Sequence, residues 1–203
     1  MPRSRLRNSF NIIWTPIKFC LRTKNGKGGI SMHLNRRISK NHRKILKQQL
    51  RIIFSGDVKM VKIDDYEVTE GLYYSKDYMW MHVEDGKVRI GVTDFVQKKL
   101  GEIGYVEFVG GDRIKQLRQT RPFGGLESAK GVFDLIAPVT GAVQQINVQA
   151  QSKPELINKD PYGKGWLLIL TATNLEKELA ELMNFDEAVK WYKKETPKKF
   201  KEW

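Results

Sequence analysis

Hydrophobic and polar positions in residues 60–203 follow the short periods that are typical of β-strands. Residues 86–92 alternate with a period of two, as a half-buried strand does, and residues 103–109 have the composition of another strand. Residues 142–148 predict a further strand, and the continuous apolar run 166–170 predicts one that is buried on both faces. Glycine and proline lie between these segments, which favours tight turns.

Helical spacing occurs in three shorter segments. Residues 94–100 carry apolar side chains at helical intervals, and the glycine that follows them predicts the end of this helix. Thr173 and Glu176 have the spacing of a capping box, and Asn184 and Glu187 repeat it, so two helices are expected near the C-terminus. Many short strands followed by helices are typical of a flattened β-barrel or sandwich that the helices cover. The predicted fold class is therefore mainly β with short C-terminal helices.

Charge divides the chain at about residue 60. Residues 1–59 carry 15 of the 36 Lys and Arg residues but only one of the 23 acidic residues, so the formal net charge of +13 belongs to this tail. The remainder, residues 60–203, is close to neutral and is interpreted as one folded domain. The basic composition of the whole chain is therefore no indication that the domain binds nucleic acid.

The basic tail is open to four interpretations. It could bind nucleic acid or an anionic membrane surface, since residues 38–54 have the spacing of a basic amphipathic helix. It could be an organelle transit peptide or a weak secretory signal. Finally, the native protein could start at Met32 or Met60. We favour a later start, because the charge changes abruptly at Met60.

Composition argues against several function classes. The single cysteine rules out an internal disulfide, and three scattered histidines offer no spacing of metal ligands. No combination of Ser, His and Asp or of Cys and His indicates nucleophilic catalysis. No apolar run approaches the roughly 18 residues of a membrane-spanning helix. We therefore expect a domain without a metal site, a membrane span or catalytic residues of its own.

Lys130 is the most informative residue of the domain. It lies at the tip of a predicted β-turn between strand-like segments at residues 123–126 and 132–139. A lysine at such a tip is exposed and held by a rigid scaffold, which suits covalent attachment of a long cofactor. An exposed lysine taken alone usually has no function, so this interpretation needs support from the rest of the sequence.

A series of motifs across residues 66–195 resembles the H protein of the glycine cleavage system, a member of the lipoyl-domain superfamily. The matching segments occur in the family's order at residues 74–80, 92–101, 127–130, 137–143 and 154–166. The last segment is long and is particular to H-type proteins. The resemblance implies a flattened β-barrel, or sandwich, of the lipoyl and H-protein type.

The resemblance also implies lipoate as a covalent cofactor on Lys130. Lipoate carries a dithiolane that exchanges two electrons and can bear a small group. Glu127 and Gly141 then match positions that the lipoylating enzyme, a lipoate ligase or lipoyl transferase, recognises. Biotinyl domains are similar in fold but have Met on both sides of their lysine. Ala129 and Gly131 stand there in this chain, which argues against biotin.

In H proteins the loaded arm folds into a surface cleft that shields its cargo from water. The resemblance places the residues of this cleft at Asp77, Met79 and Asp134. Asp134 matches the family and could pair with a cationic amine. Asp77 replaces a Ser, whereas Met79 stands where the family has Glu and Tyr78 where it has His. A thioether cannot neutralise an ammonium group, so this departure bears on the identity of the cargo.

The function implied by the resemblance is that of a carrier rather than an enzyme. The chain would take an aminomethyl group from the pyridoxal-phosphate-dependent glycine decarboxylase to the tetrahydrofolate-dependent aminomethyltransferase. Dihydrolipoyl dehydrogenase would then reoxidise it. The expected location is the cytoplasm, or the mitochondrion if residues 1–59 are a transit peptide in a eukaryote.

Two other functions compete with this one. Some H-like proteins that also lack the His-Glu pair are lipoate-binding carriers in sulfur oxidation by heterodisulfide-reductase-like complexes. A different class is a nucleic-acid-binding or membrane-attached protein that acts through its basic tail. Binding of that last kind would weaken steeply with salt and survive Lys130→Ala.

Overall fold

The computed structural model describes residues 59–84 and 86–199, with side chains to residue 195. Residues 1–58 lie outside the described part, so the interpretations of the tail and the domain boundary at residue 60 stay predictions. No helix among the described residues has the length and apolar composition that crossing a membrane requires.

Short strands dominate the described chain, and many are rich in β-branched or aromatic side chains. In chain order they are β1 (Met60–Ile63), β2 (Tyr66–Thr69), β3 (Tyr73–Tyr74), β4 (Met79–Glu84), β5 (Lys87–Val92), β6 (Ile103–Phe108), β7 (Gln116–Leu117), β8 (Pro122–Ser128), β9 (Gly131–Ile136), β10 (Gly141–Ile146) and β11 (Leu168–Ala172). The strands predicted at residues 86–92 and 103–109 are β5 and β6, each shorter by one residue.

The strands form three antiparallel sheets. A hairpin of β1 and β2 stands alone, a six-stranded sheet has the order β3-β4-β5-β11-β10-β7, and a three-stranded sheet has the order β6-β8-β9. The three-stranded sheet carries Lys130 at the connection between β8 and β9. Phe108 and Phe123, both buried, stack on the inner side of this sheet with ring centroids 6.2 Å apart.

Five α-helices occur among the described residues: α1 (Asp94–Leu100), α2 (Val148–Ser152), α3 (Glu155–Lys159), α4 (Leu175–Leu179) and α5 (Phe185–Lys199). Helix α1 has the predicted bounds. Its apolar side chains Phe95, Val96 and Leu100 are buried, and Gly101 ends it with a φ of 72°, a conformation that favours glycine.

Two strand predictions need correction. The strand predicted at residues 142–148 ends at Ile146, because Asn147 begins α2 by accepting a hydrogen bond from the Ala150 N–H at 3.2 Å. The apolar run at 166–170 forms strand only from Leu168, and the strand continues to Ala172. Ile169 is half-buried and Thr171, which follows it on the same face, is exposed, whereas Leu168 and Leu170 are buried, so β11 buries one face rather than both.

The two predicted capping boxes differ in outcome. The first is wrong: Thr173 donates its hydroxyl to the Thr140 carbonyl at 3.4 Å, and α4 begins one residue later, after Asn174. The second is confirmed. The Asn184 N–H donates to the Glu187 carboxylate at 2.9 Å, and the Glu187 N–H donates to the Asn184 side-chain oxygen at 3.1 Å.

Aromatic side chains tie α5 to the sheets and to α1. Tyr192 on α5 is fully buried, and its ring centroid lies 5.9 Å from that of Tyr66 and 6.2 Å from that of Tyr74. Burial raises the pKa of the Tyr192 hydroxyl well above its ordinary value. The Tyr74 hydroxyl donates to the Thr69 carbonyl at 2.6 Å. This cluster fixes the C-terminal helix as part of the core.

Candidate functional site

The β8–β9 hairpin ends in a tight tip. Ser128 pairs with Gly131, which leaves Ala129 and Lys130 as the two connecting residues. The Ser128 hydroxyl accepts a hydrogen bond from the Lys130 N–H at 3.1 Å and donates to the Gly131 carbonyl at 3.3 Å, so one side chain holds both ends of the turn. The tip that the sequence predicted is therefore present, and Lys130 is exposed on it.

The backbone conformation at position 131 requires glycine, although there is room for a side chain. Its φ is 147°, a region that side chains rarely allow. A Cβ built on Gly131 would meet no other atom within 4 Å, so the space beside the tip is open. This openness leaves room for a long group attached to the neighbouring Lys130.

The stem of Lys130 lies against the end of α1. A Cβ built on Gly101 would lie 3.3 Å from Cε of Lys130, which is closer than ordinary contact, and 3.5 Å from its Nζ. Gly101 thus leaves space for the lysine that any side chain would reduce. The carbonyl end of a helix also carries partial negative charge, which favours an ammonium group nearby.

A chain of buried and partly buried hydrogen bonds holds Gly101 in place. Asn158 donates to the Gly101 carbonyl at 2.7 Å and to the Gln97 side chain at 3.1 Å, and it accepts from the Ile103 N–H at 3.0 Å. Gln97 in turn donates to the buried carboxylate of Asp94. Because these polar groups satisfy one another, the support of the Lys130 stem is rigid.

Lys99 is the charged neighbour of Lys130. Partial burial lowers the pKa of the Lys99 ammonium, and the positive charge of Lys130 lowers it further. The Lys99 Nζ also lies 5.9 Å from the ring centroid of Phe95. Sequence analysis gave Gly101 only the role of ending the helix, and it assigned no role to Lys99. The sequence places both residues at the end of a predicted helix, but it does not show which side chain packs against that end.

The candidate recognition residues lie apart. Glu127 is exposed on β8, where it pairs with Val132 on β9 and with Tyr105 on β6. Gly141 belongs to the six-stranded sheet and pairs with Ala172. A Cβ on Gly141 would lie 2.5 Å from a backbone oxygen of β11, so packing alone requires glycine there. Roles for Glu127 and Gly141 in recognition stay predictions.

The residues predicted for a cargo cleft belong to different elements and differ in exposure. Asp134 is exposed on β9 of the three-stranded sheet, opposite Gly125. Asp77 is exposed in the turn before β4, and its N–H donates to the Ser75 hydroxyl at 3.2 Å. Met79 has an exposed fraction of 0%, which corrects the expectation that its side chain lines an open surface. Met79 is a core residue because β4 is covered on both faces at its start.

Tyr78, beside Met79, is also buried, with an exposed fraction of 3%. Its φ is 59°, an uncommon conformation for a bulky residue, and its ring stacks on Phe95 with centroids 4.7 Å apart. Burial raises the pKa of Tyr78 to about 12, with smaller contributions from nearby negative groups. The turn that carries Tyr78 is therefore directed into the core rather than towards a cargo.

Within residues 59–84 and 86–199, no group of three or more His, Cys, Asp and Glu side chains could hold a metal ion. Lys130 presents an exposed amine at the tip of the β8–β9 turn.

Comparison with known proteins agrees with this geometry. Residues 72–195 match the model of the family described as glycine cleavage H-protein. A probable glycine cleavage system H protein from Pyrococcus abyssi is 42% identical over 137 residues, which is 66% of this chain and 98% of that protein. The glycine cleavage system H protein of Oceanobacillus iheyensis is 44% identical over 117 residues, covering 57% of this chain and 89% of that protein.

A solved structure is similar as well. The crystal structure of a glycine cleavage system H protein from Mycobacterium marinum superposes with a TM-score of 0.54 at 30% sequence identity, covering 60% of this chain and 95% of that one. The fold is thus the flattened β-barrel of the lipoyl and H-protein type, as the sequence predicted. The chain belongs to the glycine cleavage H-protein family.

Proposed function

We propose that Lys130 carries lipoate in amide linkage and that the chain is the aminomethyl carrier of the glycine cleavage system. The observation that supports this most is the exposed lysine on a two-residue tip, held by Ser128 and followed by a glycine at φ 147°, in a chain of this family. Such a tip presents an amine without burying it.

The residues at the tip fit the proposed cofactor. Gly131 leaves open space beside the lysine, and Gly101 gives the stem a support without a side chain. Among the described residues Lys130 forms no ion pair that a long acyl group would have to displace. When bound, lipoate supplies a dithiolane that exchanges two electrons and sulfur atoms that can bear a small group.

The chain itself has to do little chemistry in this function. Its part is to present the Lys130 amine to a lipoate ligase or lipoyl transferase and then to hold the stem at Gly101. Decarboxylation of glycine, transfer of the aminomethyl group and reoxidation belong to glycine decarboxylase, aminomethyltransferase and dihydrolipoyl dehydrogenase. We place the carrier in the cytoplasm, or in the mitochondrion if residues 1–59 serve as a transit peptide.

One observation favours a second candidate. Met79 and Tyr78 lie in the core, and the ammonium of Lys99 is close enough to Lys130 for the charge of Lys130 to lower the Lys99 pKa. An ammonium repels a cationic aminomethyl group and attracts an anion. This supports a carrier of anionic sulfur species, as in heterodisulfide-reductase-like sulfur oxidation.

Reconstitution with glycine decarboxylase distinguishes the two carriers. Lipoylated chain and decarboxylase are incubated with glycine and labelled bicarbonate, and exchange of label into glycine is measured. The aminomethyl carrier supports exchange, and Lys130→Arg, which keeps the charge but removes the acylatable amine, abolishes it. No exchange with fully lipoylated chain, under conditions where a known H protein is active, would leave the sulfur carrier as the better account.

A further inference from the structure

We propose that the solvent-facing side of the three-stranded sheet is the docking surface for the enzyme that acylates Lys130, and that this enzyme meets it with a basic surface. The inference rests on the proposed lipoylation of Lys130. The surface, called here the outer face, is formed by Tyr105, Glu107, Gly125, Glu127, Val132 and Asp134.

Strand register places these residues in two adjoining rows. Tyr105, Glu127 and Val132 are paired across β6, β8 and β9, and Glu107, Gly125 and Asp134 form the next row. A Cβ built on Gly125 would lie 3.7 Å from Val132 Cγ1 and 4.0 Å from Glu107 Cγ, so these side chains share one side of the sheet. Gly125 itself is buried beneath these neighbouring side chains, so the exposed surface of the face comes from the residues around it.

The outer face begins directly beside the lysine. The row of Tyr105, Glu127 and Val132 is followed by the pair Ser128 and Gly131, which closes the turn at Lys130. Successive residues along a strand are only about 3.3–3.4 Å apart. A protein bound to the outer face is therefore in contact with the tip.

Apolar side chains on this face are unusually exposed. Tyr105 is 53% exposed and Val132 is 63% exposed. Large exposed apolar groups that lie close together, with polar groups around them, are typical of interaction sites, and tyrosine is common among the residues that dominate binding. In the described chain the inward neighbours Val106 and Leu126 are buried, so the exposure belongs to this side of the sheet alone.

The charge of the face is negative. Glu107, Glu127 and Asp134 are all exposed, and none of them forms an ion pair with another described residue. Three carboxylates without cations between them attract a surface rich in Lys and Arg and accelerate its association. The occupant that this charge selects is therefore a basic protein surface with an apolar pocket for Tyr105 or Val132.

Among the possible partners, the acylating enzyme is the one that must come closest to the tip, because an unmodified lysine side chain is short. A lysine side chain has a four-carbon stem, so an active site that acts on its Nζ must approach the tip itself. Partners that act on the far end of a lipoyl arm can work at a greater distance from Ser128 and Gly131. The outer face, which adjoins the tip, is thus best placed for the enzyme that makes the amide bond.

In that step the neutral Lys130 amine attacks the carbonyl carbon of lipoyl-adenylate. An amide C–N bond forms, the bond from the carbonyl carbon to the phosphate oxygen breaks, AMP leaves, and the amine releases a proton to solvent. No electrons are exchanged. The outer face takes no part in this chemistry, so its residues should affect KM and leave kcat unchanged.

The test is the kinetics of acylation by a lipoate–protein ligase with lipoate and ATP, followed by intact mass. Val132→Ser is compared with Val148→Ser, since both valines are 63% exposed and Val148 lies at the start of α2. Glu107→Lys is compared with Glu181→Lys, both exposed carboxylates. Tyr105→Ser is a further variant, and thermal melting of each protein checks that it is folded.

We expect Val132→Ser, Tyr105→Ser and Glu107→Lys to raise KM by about fivefold to tenfold with kcat within a factor of about two, as loss of a docking contact does. The controls Val148→Ser and Glu181→Lys should keep the wild-type KM. Added salt should raise the wild-type KM, and it should do so less for Glu107→Lys.

Two failures can be told apart. Wild-type KM in all folded outer-face variants, equal effects in the controls, or changes confined to kcat would overturn the docking surface and leave lipoylation intact. No acylation of wild-type Lys130 by a ligase that is active on a known lipoyl domain would overturn the proposed function and, with it, this inference.

Discussion

Two segments of this domain were expected to carry function, the tip at Lys130 and the segment of Asp77 and Met79, and they differ in where they direct their side chains. The β8–β9 tip leaves Lys130 exposed, whereas the turn before β4 buries Tyr78 and Met79. Each turn contains one residue at positive φ: Gly131 at 147° and Tyr78 at 59°. At the first the residue is a glycine beside open space, and at the second it is a bulky ring in the core.

The comparison shows what each turn is built for. A non-glycine residue at positive φ costs of order 1–3 kcal/mol, and a structure keeps it only where surrounding contacts offset the cost. Tyr78 has such contacts in its stacking on Phe95 and its packing near Tyr192. The β8–β9 tip avoids the cost through glycine and leaves Lys130 exposed. One turn stabilises the core and the other presents an amine.

Replacing Met79 by Glu gives the largest expected effect. The family residue would introduce an unpaired carboxylate at a position with 0% exposure, which should lower the free energy of unfolding by about 3–5 kcal/mol. Met79→Leu, which keeps volume and polarity, should cost less than about 1.5 kcal/mol. Urea unfolding of both variants measures this. A Met79→Glu protein as stable as wild type would show that this position can reach the solvent.

Gly131→Ala tests the requirement for glycine at the tip. The change should lower the free energy of unfolding by about 1–3 kcal/mol, because alanine is strained at a φ of 147° although no atom blocks its Cβ. Gly104→Ala is the matched control: that glycine is exposed on β6, its φ is not positive, and its Cβ would lie 3.9 Å from the nearest atom. Equal stability of the two variants in urea would contradict the backbone argument.

Alkaline pH tests the burial of Tyr78. Its folded-state pKa of about 12 lies above the ordinary value of 10.0, so burial of the neutral hydroxyl stabilises the fold fully below pH 10. This stability is lost as pH rises from 10 to 12. Tyr78→Phe should therefore reduce the fall in unfolding free energy over that range by up to about 1.4 kcal/mol per pH unit. If the unfolding free energy measured in urea falls with pH equally steeply in Tyr78→Phe and in wild type, the Tyr78 hydroxyl is exposed to water.

The smallest expected effect is on Lys99. Burial and the charge of Lys130 both lower the pKa of its ammonium, and acylation of Lys130 removes the second cause. The Lys99 pKa should therefore rise when Lys130 is acylated. An NMR titration of the Lys99 side chain, before and after modification, measures this. A Lys99 pKa that stays unchanged, or that falls, would show that the charge of Lys130 does not act on Lys99.

The tip and α1 could be predicted because their signals are local. Ser128, Gly131 and Gly101 specify their own turns through backbone conformation and short-range hydrogen bonds. The first capping box failed because Thr173 bonds to Thr140, a partner 33 positions away in the chain. Sequence spacing contains no information about such a partner.

The burial of Met79 could not be predicted for a related reason. The first three residues of β4 are all fully buried: Met79, Trp80 and Met81. This part of β4 therefore does not alternate between an exposed and a buried face. Trp80 also donates to the Pro161 carbonyl at 2.9 Å, a contact across 81 positions. Family resemblance assigned Met79 to a cleft by its place in a motif, and only the packing of distant segments determines where its side chain lies.

Modification of Lys130 can be tested most directly by intact mass and peptide mapping of protein purified from its native host, where the lipoylating machinery is present. The account predicts a population heavier by one lipoyl group, with the added mass located on the peptide that contains Lys130. Protein from that source that always carries an unmodified Lys130 would contradict it.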